Sequence, residues 1–136
     1  MSHIRRPVCE LRAILPATLE AIEGFSAEFR QWTQRLTPTA HTFGAELLLR
    51  EALTNAVVHG CRQDPSKWVR CALRLGNGRL TIAVEDDGEG FDWRAAAARQ
   101  ADDKLCCGRG MEILRTYSSR VRFNNRGNSV AILKRF

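Results

Sequence analysis

Three short segments of this chain carry side chains able to do chemistry. The first is Glu51-Ala52-Leu53-Thr54-Asn55-Ala56-Val57-Val58-His59-Gly60. On a helix, four-residue spacing stacks Glu51, Asn55 and His59 in one stripe, with Leu49, Leu53, Ala56 and Val57 opposite. The apolar side must pack on a core, leaving a carboxylate, an amide and an imidazole facing away from it. A carboxylate so placed can accept a proton, and an amide oxygen is a hard ligand suited to Mg²⁺. Taken alone, the stripe reads more readily as the solvated side of a surface helix. The second segment, Val84 to Asp92, ends a strand in an acidic turn punctuated by Gly88 and Gly90. A carboxylate such as Asp86 can accept a hydrogen bond from an exocyclic amine like that of adenine, and the glycines let a ligand approach the backbone. An EF-hand loop is excluded, because its alternating ligands and closing glutamate are missing, while a plain acidic turn stays open. The third segment, Gly108-Arg109-Gly110-Met111, opens a helix whose free N–H groups and dipole suit a phosphate, with Arg109 as a well-placed cation. It is neither a Walker loop nor a dinucleotide fingerprint.

The elements that must hold these segments follow from periodicity. Val8 to Ile14, between Pro7 and Pro16, reads as a short strand. From Ala17 to Thr33, apolar residues at Leu19, Ile22, Phe25, Phe29 and Trp32 predict an amphipathic helix with Pro16 near its first turn. A second helix is expected from about Ala40 to Val58, with Gly60 as its carboxyl-terminal cap. Lys67–Leu75 and Arg79–Glu85 read as strands of a hairpin around Asn77-Gly78. An alanine-rich, charged stretch to Cys107 leads to a helix from about Gly110 to Tyr117. Strands Arg120–Asn124 and Ser129–Lys134 close the chain around Asn125-Arg126-Gly127. This order predicts an α+β two-layer sandwich, a mostly antiparallel sheet with helices on one face.

Composition bounds the rest. A length of 136 residues suits a single domain over 1–136, and 44% hydrophobic with 26% charged residues is enough for a packed core. Apolar runs of only a few residues give no membrane span, and no apolar segment follows the basic amino terminus, so no secretory leader is expected and the protein is expected in the cytoplasm. Cys9, Cys61, Cys71, Cys106 and Cys107 are odd in number and lack Cys-x-x-Cys spacing, so reduced thiols are the default. The net charge of +6 is carried mainly by arginines scattered along the chain, without basic runs or interleaved aromatics. No direct nucleic-acid contact is therefore expected, and an acidic protein partner stays open.

The three segments in this order resemble the GHKL ATPase superfamily, which includes gyrase, the mismatch-repair ATPase and histidine kinases. More closely the chain looks like the small bacterial anti-sigma-factor serine kinases, over roughly Ile14 to Lys134. Glu51 to Gly60 matches their Glu-x-x-x-Asn-Ala-x-x-His-Gly box, Asp86-x-Gly88-x-Gly90-Phe91-Asp92 the second box, and Gly108-x-Gly110-Met111 the third. The resemblance implies a Bergerat-type fold that binds ATP or ADP with Mg²⁺. Glu51 would be the general base and Asn55 the magnesium ligand. Asp86 would read adenine, and Asn55, His59, Gly88, Gly90, Phe91, Gly108, Arg109, Gly110 and Met111 would complete the nucleotide site. Phe91 to Cys107 would form a short lid, with Arg94, Arg99 and Lys104 near the phosphates. Implied partners are a serine-phosphorylated anti-sigma-factor antagonist, a sigma factor and a second copy in a homodimer. The alternative is a nucleotide-dependent module that sequesters a sigma factor or other regulator without phosphotransfer. One departure is Gly127-Asn128-Ser129-Val130, where the family commonly has Gly-Thr-x-Val, so an amide replaces a hydroxyl.

Overall fold

Strict alternation of burial along the strands decides which way the sheet faces. In the computed structural model, which describes residues 8–37, 42–88 and 109–136 and the backbone alone of Arg109, β2 (Trp68–Gly76) and β3 (Arg79–Asp86) bury every second residue. Val69, Cys71, Leu73 and Leu75 on β2 and Leu80, Ile82 and Val84 on β3 point to one side, where they form the core with three helices. β1 (Cys9–Pro16), β4 (Arg120–Phe123) and β5 (Ser129–Arg135) complete a five-stranded, wholly antiparallel sheet in the order β1-β2-β3-β5-β4. The β2–β3 connection is the expected two-residue turn: Asn77 and Gly78 have φ of 54° and 71°, which matches the right-handed twist of the paired strands.

Helix α1 (Leu19–Leu36) buries Ile22, Phe25 and Phe29. Its start corrects the sequence reading: Pro16 is not in its first turn but ends β1 opposite Trp68, an edge-strand position where a missing N–H costs nothing. Thr18 caps the helix instead, accepting a 3.1 Å hydrogen bond from the Ala21 N–H. Helix α2 (Thr42–Thr54) lies against α1, tied to it by Arg30–Glu46 and Arg50–Glu23 ion pairs of 2.6 and 2.7 Å. It buries Leu48, Leu49, Ala52 and Leu53. The expected single helix to Val58 instead widens after Thr54 into a π-helical segment, Asn55–Gly60, closed by a 2.8 Å bond from Cys61 N–H to Ala56 O. Helix α3 (Arg109–Tyr117) packs on α2 and buries Met111 and Leu114. Among the described residues no helix is long and apolar enough to cross a membrane.

Candidate functional site

The centre of the molecule is the seam where α2 changes to π geometry. Glu51, one turn before the change, is half-buried, and Asn55, the first π residue, is 9% exposed. π-bulges are frequent at functional positions, because they redirect side chains that α geometry would stack. The expected common stripe is accordingly split: Asn55 turns inward while His59 lies exposed. Burial raises the Glu51 carboxyl above the ordinary carboxylate range, which makes it a better proton acceptor near neutral pH.

Asp86 follows Leu80, Ile82 and Val84 in the inward series, so strand alternation itself drives this carboxylate to the helix side of the sheet. It is 4% exposed. Burial raises its pKa to about 6; the neighbouring Asp87 and Glu85 add to this, while a hydrogen bond from the Gly88 N–H and the charge of Lys67 oppose it. That bond, Gly88 N–H to Oδ1, is 2.8 Å. Two glycines make the fit possible. A Cβ on Gly60 would lie 2.5 Å from Asp86 Oδ2, and one on Gly88 would overlap the Gly60 carbonyl. Gly60 is therefore a glycine for close approach; its φ is not positive, so the expected left-handed cap is not its role.

The third segment meets the first. Gly110, in the first turn of α3, abuts Glu51, and a Cβ there would overlap Oε2. This holds the carboxylate at the amino end of a helix, where free N–H groups favour an anion. Replacing Gly110 with alanine is expected to displace Glu51 and lower ATP turnover at least about tenfold, since misplacement by an ångström costs up to ~10². Thermal stability should hold or rise, because alanine favours a helix by about 1 kcal/mol over glycine. Turnover and unfolding midpoint, measured together, check both. Met111 sits in the core beside Leu114. Gly90, Phe91, Gly108 and the proposed lid, with Arg94, Arg99, Lys104, Cys106 and Cys107, lie outside the described residues, as does the Arg109 side chain.

Two contributors escaped the sequence reading. Asn128 holds Asp86 by its backbone: its carbonyl accepts from the Asp86 N–H at 2.9 Å, and its Nδ2 donates to the Asp86 carbonyl at 3.3 Å. Its Oδ1 accepts from Asn124 Nδ2 at 2.6 Å, and Asn124 Oδ1 takes the N–H groups of Gly127, Asn128 and Ser129. The amide that replaces a threonine is thus spent on the hairpin that supports Asp86. The signal was two asparagines four apart flanking Gly127, an Asx-type turn. Cys61, fully buried, has its thiol pKa raised by burial and by Asp86, while backbone N–H groups of Asp87 and Gly88 pull it down. In the core, burial pushes Cys71 up to about 12. Both stay protonated and unreactive.

The donor set fits a nucleotide. Asp86 offers a buried carboxylate with one oxygen bonded to Gly88 and glycine backbone on both sides. Asn55, Asp86, Phe123 and Asn128 line one small cavity. No group of three or more His, Cys, Asp or Glu side chains gathers to hold a metal among the described residues, so Mg²⁺ would rest on Asn55 and on phosphates brought by the nucleotide.

A solved histidine kinase domain, that of the blue-light activated histidine kinase of Erythrobacter litoralis EL346, has the same fold with a TM-score of 0.51 at 18% identity, over 87% of this chain and 59% of that one. The chain thus spans about three fifths of the length of the domain it matches. No curated protein matches its sequence. The sequence profile of the histidine kinase-like ATPase domain matches residues 15–134, nearly the whole chain, and together with the Asp86 cradle and the Glu51–Asn55 helix this establishes that the chain belongs to that ATP-binding family.

Proposed function

We propose that this protein is an ATP-dependent serine kinase and anti-sigma factor, which phosphorylates an anti-sigma-factor antagonist in a partner-switching pathway. The observation that carries the reading is the half-buried Glu51 carboxylate set against Gly110 at the amino end of α3. A module that only binds nucleotide needs a base reader such as Asp86 and a metal ligand such as Asn55, but no proton acceptor beside the phosphates. The His59-Gly60 ending of the first segment supports the same subgroup.

Asp86 accepts a hydrogen bond from the adenine amino group; Asn55, with the nucleotide's phosphates, would hold Mg²⁺, which would supply positive charge to neutralise those phosphates. Glu51 accepts the serine hydroxyl proton as the oxygen attacks the γ-phosphorus. The bond from that phosphorus to the bridging oxygen breaks, and ADP leaves with the electron pair. The test is incubation of the protein with γ-labelled ATP and purified candidate antagonists. Serine-linked label on an antagonist, with equimolar ADP, is the expected result. Nucleotide-dependent binding of a partner with no label transferred would instead make the chain a sequestering module.

A further inference from the structure

The face of the sheet turned away from the helices carries a pattern the nucleotide site does not use. Register places Arg12, Ala72, Ala83, Ala131 and Arg122 in one row across all five strands. Three alanines thus form a low floor with an arginine at each end. A groove of about 530 Å³ opens over Ala72 and Ala83, walled by Arg12, Ile14, Arg70 and Glu85. Ile14 and Trp68 on this side are 64% and 48% exposed.

Charge on the face is unbalanced. Arg12, Arg70, Arg74, Arg79, Arg120, Arg122 and Arg135 share it with Glu10, Glu85 and Asp87, a net of +4. The carboxylates are already engaged: Glu10 with Arg74 at 3.1 Å and Arg12 at 3.6 Å, Asp87 with Arg70 at 2.9 Å, and Glu85 with Arg70 at 3.7 Å. No ion pair among the described residues uses Arg79, Arg120 or Arg122. We propose that this face docks an acidic amphipathic helix of a partner protein, with apolar side chains on the alanine floor and carboxylates reaching Arg12 and Arg122 on either flank.

Geometry and charge choose this occupant. Three strands about 4.8 Å apart give a floor about 10 Å wide, the width of one helix. Alanines let that helix approach closely, and the arginines stand where its flanks would be. A second copy would set one basic face against another, which Coulomb repulsion disfavours. Single-stranded nucleic acid would need aromatic stacking platforms where the alanines lie, and would meet three carboxylates. The inference does not depend on phosphotransfer, because peptide binding is its readout.

The probe is a fluorescent synthetic 18-residue helix with a leucine face flanked by glutamates, beside the same peptide with glutamines and a 12-nucleotide oligouridine. Anisotropy titrations with the full chain should show saturable binding of the acidic peptide that weakens with salt. Reversing both ends of the row, Arg12→Glu with Arg122→Glu, should cost at least about tenfold in affinity. Ala83→Arg, which adds a positive charge but fills the floor, should cost about as much, and nucleotide affinity should not change in either variant. The proposal is overturned by absence of saturable binding, by equal binding of the glutamine peptide, or by full affinity in the variants. It is also overturned if oligouridine displaces the peptide, or if sedimentation shows a dimer that Ala83→Arg dissociates, which would give the face to a second copy.

Discussion

Glu51→Ala is expected to bind Mg-ATP nearly as well as the unaltered protein and to transfer phosphate ~10²–10⁴ times more slowly, the loss typical of a missing general base. The two readouts should separate because the proposed mechanism gives the neighbours Glu51 and Asn55 different tasks. Glu51, raised in pKa by burial, would in the proposed mechanism accept a proton only as the hydroxyl attacks. Asn55, buried at the start of the π segment, would in the proposed mechanism hold the metal in the ground state as well. Asn55→Ala should therefore weaken Mg-ATP binding itself, whereas Glu51→Ala should not. Single-turnover transfer to an antagonist, measured beside calorimetric affinity, decides the matter. A Glu51→Ala protein that phosphorylates at the unaltered rate would remove the base from Glu51.

The same helix shows how far the sequence could be read. Its apolar stripe, Leu49, Leu53, Ala56 and Val57, is the buried face, and strand alternation was enough to orient the sheet. Asn77-Gly78 named its own turn. The π segment was not legible, because Asn55 to Gly60 reads as helix under either period, and the choice is made by packing against β3. That hidden change separates Asn55 from His59, which α spacing had stacked. Gly60 was visible as a glycine, but its reason was not. A cap and a close approach look identical in sequence, and only the Asp86 carboxylate 2.5 Å from the missing Cβ tells them apart. Asn128 likewise read as a lost hydroxyl at the nucleotide, whereas its amide secures the backbone of Asp86. Motif spacing thus picked out Glu51, Asn55 and Asp86 as candidates, and tertiary contacts that spacing cannot encode fix how they are held.

Asp86→Asn should trade function for stability. The carboxylate is almost fully buried and its pKa is raised from 3.8 to about 6, so folding disfavours its charged form. Between these values the unfolded chain has lost the proton while the folded chain still holds it. Stability therefore falls as pH rises through that window, by about 2–3 kcal/mol in all. An amide keeps the oxygen that accepts the Gly88 N–H and never ionises. The variant should lose that slope between about pH 4 and pH 6, and above it should unfold at a higher temperature than the unaltered protein. Binding moves the other way. An ionised acceptor for the adenine amine is worth about 1.5–3 kcal/mol, so affinity for ATP should drop at least about tenfold. In the unaltered protein the same titration should make affinity for adenosine, whose base does not ionise in this range, rise about tenfold from pH 5 to pH 7. Calorimetry of adenosine and ATP across pH, with thermal unfolding of both proteins, measures all three effects. Undiminished ATP affinity in the variant, or equal preference for GTP in the unaltered protein, would show that another group reads the base. A flat adenosine profile would show that Asp86 is already ionised at pH 5.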